Sequence, residues 1–334
     1  MDSSKPAGPA EVVTVGHAVV DVLASVSDEA LSEFGYEKGS MTLVDADVSA
    51  RLYGSVRPTA SASGGSAANT AVGLASLGAR AAFVGRVRDD ALGRVFTEDI
   101  RGAGVDYSVP PVTSGAPTAR CVVMLTPDAQ RTMCTNLGAA AELAPSDIDP
   151  AVIGAAKVVY LEGYIVGPED KRAVVDRIID LAGHHKTQLA FSLSDPFWVN
   201  LHTDELRRVI SHSDLVFGNE EEAVALTGES DAVAAAKRLA GQVGTVVVTR
   251  GSAGAVAVSG DSVASVPAEP LGKVVDTTGA GDLFAAGFLY GHVRGLSLEN
   301  SARLGSLAAG EVIAHVGARP STELASLGRQ RGLL

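Results

Sequence analysis

Val274–Gly291 reads VVDTTGAGDLFAAGFLYG. Val274 and Val275 are β-branched and predict a strand running into Asp276, Thr277 and Thr278. Gly279, Ala280 and Gly281 then form a small-residue turn, and an apolar run compatible with a helix follows. A helix start leaves backbone N–H groups unpaired. With the positive end of the helix dipole, those groups suit an anion, typically a phosphate. The glycines let the backbone approach closely, because no Cβ intervenes. Asp282 falls in the first helical turn, beside the expected anion. A carboxylate there repels a phosphate, so its place makes sense if it accepts a proton from a hydroxyl attacking that phosphate. The helix start is also expected to keep Asp282 ionised. An ordinary strand–helix junction with a favourable first-turn acid is the alternative for the short GxGD core alone.

The longer string, Asp276-Thr277-x-Gly279-Ala280-Gly281-Asp282 followed by Phe284-x-x-Gly287, is far more specific. It resembles the second signature of the ribokinase-like (PfkB) family of sugar and nucleoside kinases. Ser61–Gly78, SASGGSAANTAVGLASLG, resembles the first signature of that family, with Gly64 and Gly65 at a sharp turn and Asn69 early in a small-residue helix. The resemblance covers roughly Val12 to Arg319, with both signatures in order. It implies one doubly wound α/β domain over 11–334, a largely parallel sheet flanked by helices. A small β-sheet lid, contributed by about 22–45 and 117–137, is expected over the substrate. Residues 1–10 are expected to be a flexible tail.

Composition sets the outer bounds. The chain has 334 residues, with 46% hydrophobic and 20% charged, which describes a globular protein. Its formal net charge is −12, a poor starting point for nucleic-acid binding. An anionic ligand must therefore be held by a local device such as a helix start. No apolar run approaches the roughly 18–20 residues needed to span a bilayer. The opening MDSSKPAGPAE lacks the apolar region of a signal peptide, so a cytoplasmic protein without membrane partners is expected. Cys121 and Cys134 sit on candidate strands either side of Thr126–Arg131 and could face each other across a hairpin; two reduced thiols are the plainer reading. The histidines show no zinc spacing.

Strand ends carry the remaining candidates. Val12–Val15 reads as a first core strand, followed by His17 and Asp21. The resemblance places Asp21, Gly64, Gly65 and Asn69 against substrate hydroxyls, with His17 where adenosine-phosphorylating members carry Asn. Thr118–Leu125 and Arg131–Thr135 flank Thr126-Pro127-Asp128 and predict a hairpin. In it, Val122, Met124 and Leu125 pack on substrate, on a second subunit or simply on the lid core. From Ala156 onward, strands alternate with helices, which predicts βαβ units and a parallel sheet. Glu162 and Tyr164 follow one strand, and the tyrosine ring suits a nucleobase, although a buried tyrosine with a satisfied hydroxyl reads as well. Asp195 ends the next strand, a position suited to support around the site. Asn219 and Glu222 match an Asn-x-x-Glu that the resemblance places near metal and phosphates, with Glu222 acting on Mg²⁺ through water; a capping box fits the same residues. Thr249, Gly251 and Gly254, with Thr277, are expected to bind ATP, and Arg250 is available to a phosphate. Carbonyls near Asp276, Thr278 and Gly317 are expected to hold a monovalent cation, with K⁺ the candidate. Arg88 stands where the family has glycine.

The resulting expectation is an ATP- and Mg²⁺-dependent kinase acting on a primary hydroxyl. Asp282 is the base, with Gly279, Ala280 and Gly281 as the anion-binding turn. The 5′-hydroxyl of adenosine is the first acceptor, and ribose, fructose or 2-keto-3-deoxygluconate are the alternatives. A catalytically silent ligand-binding protein is a third reading, which an intact base argues against. A monomer or a homodimer through the lid is expected. No Walker A string occurs.

Overall fold

In the computed structural model, residues 8–128, 130–167 and 172–334 are described. Residues 1–7 of the expected tail and Lys171 of an expected helix lie outside that set. In chain order the strands are β1 Val12–Val15, β2 Val19–Ser25, β3 Met41–Leu43, β4 Pro58–Gly64, β5 Ala81–Val84, β6 Ala119–Leu125, β7 Arg131–Asn136, β8 Val158–Leu161, β9 Gln188–Ser192, β10 Leu215–Asn219, β11 Thr245–Thr249, β12 Ala255–Ser259 and β13 Ser262–Val266. The helices are α1 Asp28–Phe34, α2 Ala46–Ser55, α3 Ser66–Ser76, α4 Ala91–Gly102, α5 Pro150–Ala155, α6 Arg172–His185, α7 Pro196–Leu201, α8 Thr203–Ile210, α9 Glu220–Thr227, α10 Ala232–Ala240, α11 Ala280–Val293, α12 Leu298–Val312 and α13 Leu324–Gln330.

Every residue of β1 is buried, as a strand covered on both faces requires. It pairs in parallel with β5 on one side and β8 on the other. The main sheet runs β13-β12-β11-β10-β9-β8-β1-β5. It is parallel from β5 to β11, and β12 and β13 add an antiparallel edge. The order reverses at β1, and ligands of such sheets bind beside that point, outside the carboxyl ends of the strands. Tyr160, Phe217 and Phe288 form an edge-on aromatic chain from the sheet into α11, with centroids 6.0 and 5.5 Å apart. No helix among the described residues is long and apolar enough to cross a membrane.

A second sheet runs β3-β7-β6-β2-β4. Side chains alternate across its faces. Val122, Met124 and Cys134 pack against Leu31 of α1 and Leu52 of α2. Cys121 and Val123 point to the other face with Val19, and Leu23 and Met133 border them. The two cysteines therefore lie on opposite faces, because Cys121 is opposite Thr135 and Val122 is opposite Cys134. They are free and buried, so the hairpin disulfide alternative is set aside. Val122 and Met124 belong to the inner packing of this sheet and not to a ligand or subunit surface.

Three local expectations change. Val274 and Val275 form no strand; they are exposed, and Val275 donates its N–H to Ile313 O at 2.8 Å beyond the end of α12. Two β-branched residues are too short a signal when no neighbouring strand is available to pair. β4 joins the second sheet from outside the expected lid segments of about 22–45 and 117–137, because PTASAS carries little β-propensity and becomes a strand by pairing with β2. The polar stretch before it holds α1 and α2, each with a side-chain N-cap, Ser27 and Asp45. Arg88 is pinned in its loop, with its backbone N–H on Thr118 Oγ1 and its guanidinium on Gly115 O.

Candidate active site

α11 begins at a left-handed residue. Gly279 has φ +79°, and a Cβ there would lie 2.7 Å from Ala318 O. The turn uses one of the expected anion donors itself, since Ala280 N–H reaches Thr277 O at 3.2 Å. The following N–H groups of the first turn have no intrahelical acceptor by geometry.

Asp282 meets the start of α3. Ser66 Oγ donates to one carboxylate oxygen at 2.6 Å, and Asn69 Nδ2 donates to the other at 2.9 Å. Thr70 Oγ1 donates to the Asp282 carbonyl. The helix start is not the only influence on the ionisation of Asp282. Burial pushes its pKa up to about 6, against the two hydrogen bonds, and the Glu162 charge adds to the rise. α3 comes close enough because Gly65, at φ +102°, would place a Cβ 2.1 Å from His17 O.

Asp21 approaches from the second sheet, on β2, and not from a loop after β1. Burial raises its pKa to about 6, while Arg319 and Arg131 lower it and Asp282 raises it. Gly64 lies against its carboxylate; a Cβ there would fall 2.3 Å from Oδ2.

Two arginines not singled out as site residues complete the cleft. Arg131, on β7, pairs with Asp276 at 2.8 Å and reaches Thr278 Oγ1 at 3.4 Å. Arg319, on the loop after α12, donates from Nε to Asn69 Oδ1 at 3.4 Å and from Nη1 to Asp99 at 3.0 Å. In both, Nη2 is buried without a partner among the described residues. A buried donor left unpaired is costly, and an arriving oxyanion is the natural acceptor. Once the hairpin register is known, Arg131 shares strand parity with the face that carries Asp21. Arg319 gives no such sign.

The other expected site residues also carry structural contacts. Glu162 is 1% exposed; it accepts from His17 N at 2.7 Å, His17 Nδ1 at 2.9 Å and Ala67 N at 2.9 Å. It ties β8, the exit of β1 and α3 together, so its carboxylate and the His17 Nδ1 are spent on each other and not on a ligand. Tyr164 donates its hydroxyl to Ser194 O at 3.2 Å and stands edge-on to Trp198, with its ring partly exposed. Asn219 and Glu222 make the reciprocal capping box of α9, which engages both Glu222 oxygens. Burial raises Glu222 to about 7; Asn219 N–H opposes this, and the negative Asp195 and Glu221 add to it. Asp195 caps α7. Thr249 ends β11, and Gly251 and Gly254 shape the next turn, closed by Arg250 N–H on Gly254 O at 2.7 Å. Arg250 itself donates to Ala253 O.

Asp276 accepts from Arg131, Gly317 N, Thr278 N and Thr278 Oγ1. Its carboxylate is thus saturated by donors from the protein, which fixes the turn before α11 against Gly317. No group of three or more His, Cys, Asp or Glu residues able to hold a metal occurs among the described residues.

Comparison with known proteins follows the same lines. The model of the pfkB family carbohydrate kinases matches residues 44–325. The adenosine kinase of Saccharomyces cerevisiae is 31% identical over 92% of this chain and 96% of its own length. A 5-dehydro-2-deoxygluconokinase of Bacillus licheniformis is 29% identical over 75% of this chain and 80% of its own. The adenosine kinase structure from Sinorhizobium meliloti superposes with a TM-score of 0.88 at 42% identity, covering 97% of this chain and 100% of that one. A probable sugar kinase from Rhizobium etli gives 0.89 at 41%, covering 97% and 99%.

Proposed function

Because the chain belongs to the pfkB family of carbohydrate kinases, and so phosphorylates an alcohol group, we propose that its acceptor is a nucleoside, with the 5′-hydroxyl of adenosine the first choice. One observation carries this reading: apart from Asp21 and Arg131, the cleft-facing side of the second sheet is largely apolar. Asp21 is opposite Cys121, Cys121 opposite Thr135, and Thr135 opposite Leu43. The next row is Leu23, Val123, Met133 and Met41. Met41 and Leu43 are 51% and 55% exposed. A free sugar presents hydroxyls on all sides and gains little from such a wall. A nucleoside suits both parts, with its ribose toward Asp21 and Asn69 and its flat base on the apolar rows and the Tyr164 ring. The adenosine kinase relatives support the same choice.

In the reaction, Asp282 accepts the proton of the attacking hydroxyl, while Ser66 and Asn69 hold its two oxygens in place. The phosphoryl group being transferred lies against the first turn of α11, where the N–H groups and the Arg131 guanidinium offset its charge. Positioning and charge stabilisation carry most of the catalysis, because the transition state has little bonding for the protein to assist. ATP lies along Asn219, Thr249, Gly251 and Gly254. Glu222, whose neighbours Asp195 and Glu221 are negative, would hold a Mg²⁺ brought with the nucleotide, through water since Asn219 engages both of its oxygens, and the ion would supply positive charge beside the phosphates. The second sheet serves as a lid that excludes water, which would otherwise hydrolyse ATP.

A second reading, a sugar or sugar-acid kinase, draws on the 5-dehydro-2-deoxygluconokinase relatives. ATP consumption over adenosine, inosine, guanosine, ribose, fructose and 2-keto-3-deoxygluconate separates the two. Turnover on a nucleoside supports the first reading, and turnover confined to free sugars replaces it with the second.

A further inference from the structure

Asn69 has two roles to fill with one amide. Its Nδ2 donates to Asp282 Oδ2, and this leaves Oδ1 facing away from the base. An amide can rotate by half a turn with little change in shape, which would set its oxygen against the carboxylate. What prevents that rotation is Arg319, whose Nε donates to Asn69 Oδ1 at 3.4 Å. Arg319 is in turn held by Asp99 of α4 at 3.0 Å, and the same Asp99 oxygen accepts the N–H of Ser63 at 2.8 Å and its hydroxyl. Ser63 lies in β4, the strand of the second sheet that runs directly into Gly64 and Gly65.

The loop bearing Arg319 is fixed at both ends. Gly317 N–H donates to Asp276, and Ser321 and Thr322 donate to buried Glu311. The guanidinium is thus presented from a rigid mount, with its side chain 18% exposed.

We propose that Arg319 is a positioning residue for the base, acting through Asn69 and coupling the second sheet to Asp282 through Asp99 and Ser63. The inference rests on Asp282 being the base. When β4 is seated on Asp99, Arg319 is drawn to Asn69, and the amide presents its N–H to Asp282. When β4 lifts, Asp99 and Arg319 slacken, and the amide is released. Chemistry is in this way linked to the covered state of the cleft.

The test is a cycle of Arg319→Met, Asn69→Ala and the double variant, with kcat and KM for the best acceptor and the melting temperature of each. Arg319→Met is expected to lower kcat by about tenfold or more, the scale of one lost hydrogen bond to a charged group, with a smaller change in KM. In the Asn69→Ala background the same substitution is expected to cost little further. Arg319→Lys recovers part of kcat, because an ammonium holds either Asp99 or Asn69. Asp99→Asn, made outside the cleft, lowers kcat in the same direction by less and serves if Arg319→Met melts early. Unchanged kcat in both Arg319→Met and Asp99→Asn overturns the proposal, and so does a loss of equal size with and without Asn69. Asp282→Asn is measured beside them: if it keeps kcat, the base reading fails, whereas its loss together with an unaffected Arg319→Met defeats only the coupling.

Discussion

The two sheets of this protein treat their polar groups in opposite ways. At the carboxyl ends of the main sheet, Glu162 and Glu222 are buried with both oxygens engaged by His17, Ala67 and Asn219. On the cleft side of the second sheet, Arg131 keeps a buried Nη2 unpaired, and Met41 and Leu43 stand exposed. These two carboxylates have their hydrogen bonds filled without a ligand and frame the site. The second sheet has an inner face that is also complete, with Val122 and Met124 against α1 and α2, and an outer face that is not. Incomplete partnering, more than the presence of charge, marks the surface that a substrate finishes.

That contrast is breakable by substitution. The largest effect is expected for Asp282→Asn, which should lower kcat by roughly 10²–10⁴-fold with little change in acceptor affinity; steady-state kinetics and equilibrium binding check this. Arg131→Met should cost about 10²–10³-fold in kcat, the scale of one lost charge-stabilising donor, with the fold retained by circular dichroism. Apolar residues on the two faces of the second sheet should then part ways. Met124→Ala, on the inner face, should destabilise by about 2–5 kcal/mol in chemical denaturation and leave KM unchanged. Leu43→Ser, on the cleft face, should leave stability unchanged and raise the KM for a nucleoside by about tenfold, as the loss of one apolar contact surface implies. The smallest effect is in pH. Asp282 and Asp21 are both raised to about 6, chiefly by burial, and the Asp282 charge adds to the rise in Asp21. A base must be ionised to act, so kcat/KM should fall as pH drops through 6 and level off above about 7. The same raised values mean that the ionised pair costs stability at neutral pH, and that this cost is relieved as pH falls through 6 toward the unfolded value of 3.8.

What could be read from the sequence follows from how local each feature is. Gly279–Asp282 and Gly64–Asn69 announce themselves because a helix start, its turn and its first side chains are contiguous in the chain. The parallel sheet is legible from β-branched runs alternating with helical stretches. β4 is not, because PTASAS has no pattern of its own and is a strand only beside β2. Val274 and Val275 misled for the opposite reason, a strand composition with nothing to pair against. Glu222 was legible as a cap or a metal residue, and the capping geometry is realised. Arg131 and Arg319 could not be placed, since each gains its meaning from a partner far along the chain, Asp276 and Asn69 respectively.

The most direct measurement is kcat/KM for adenosine and for fructose, in the wild type and in Met133→Ser. A cleft finished by a nucleobase predicts turnover of adenosine in large excess over fructose, and a ratio that shrinks when Met133 loses its apolar side chain. A preference for fructose, or a ratio indifferent to Met133, would contradict the assignment of that face to the acceptor.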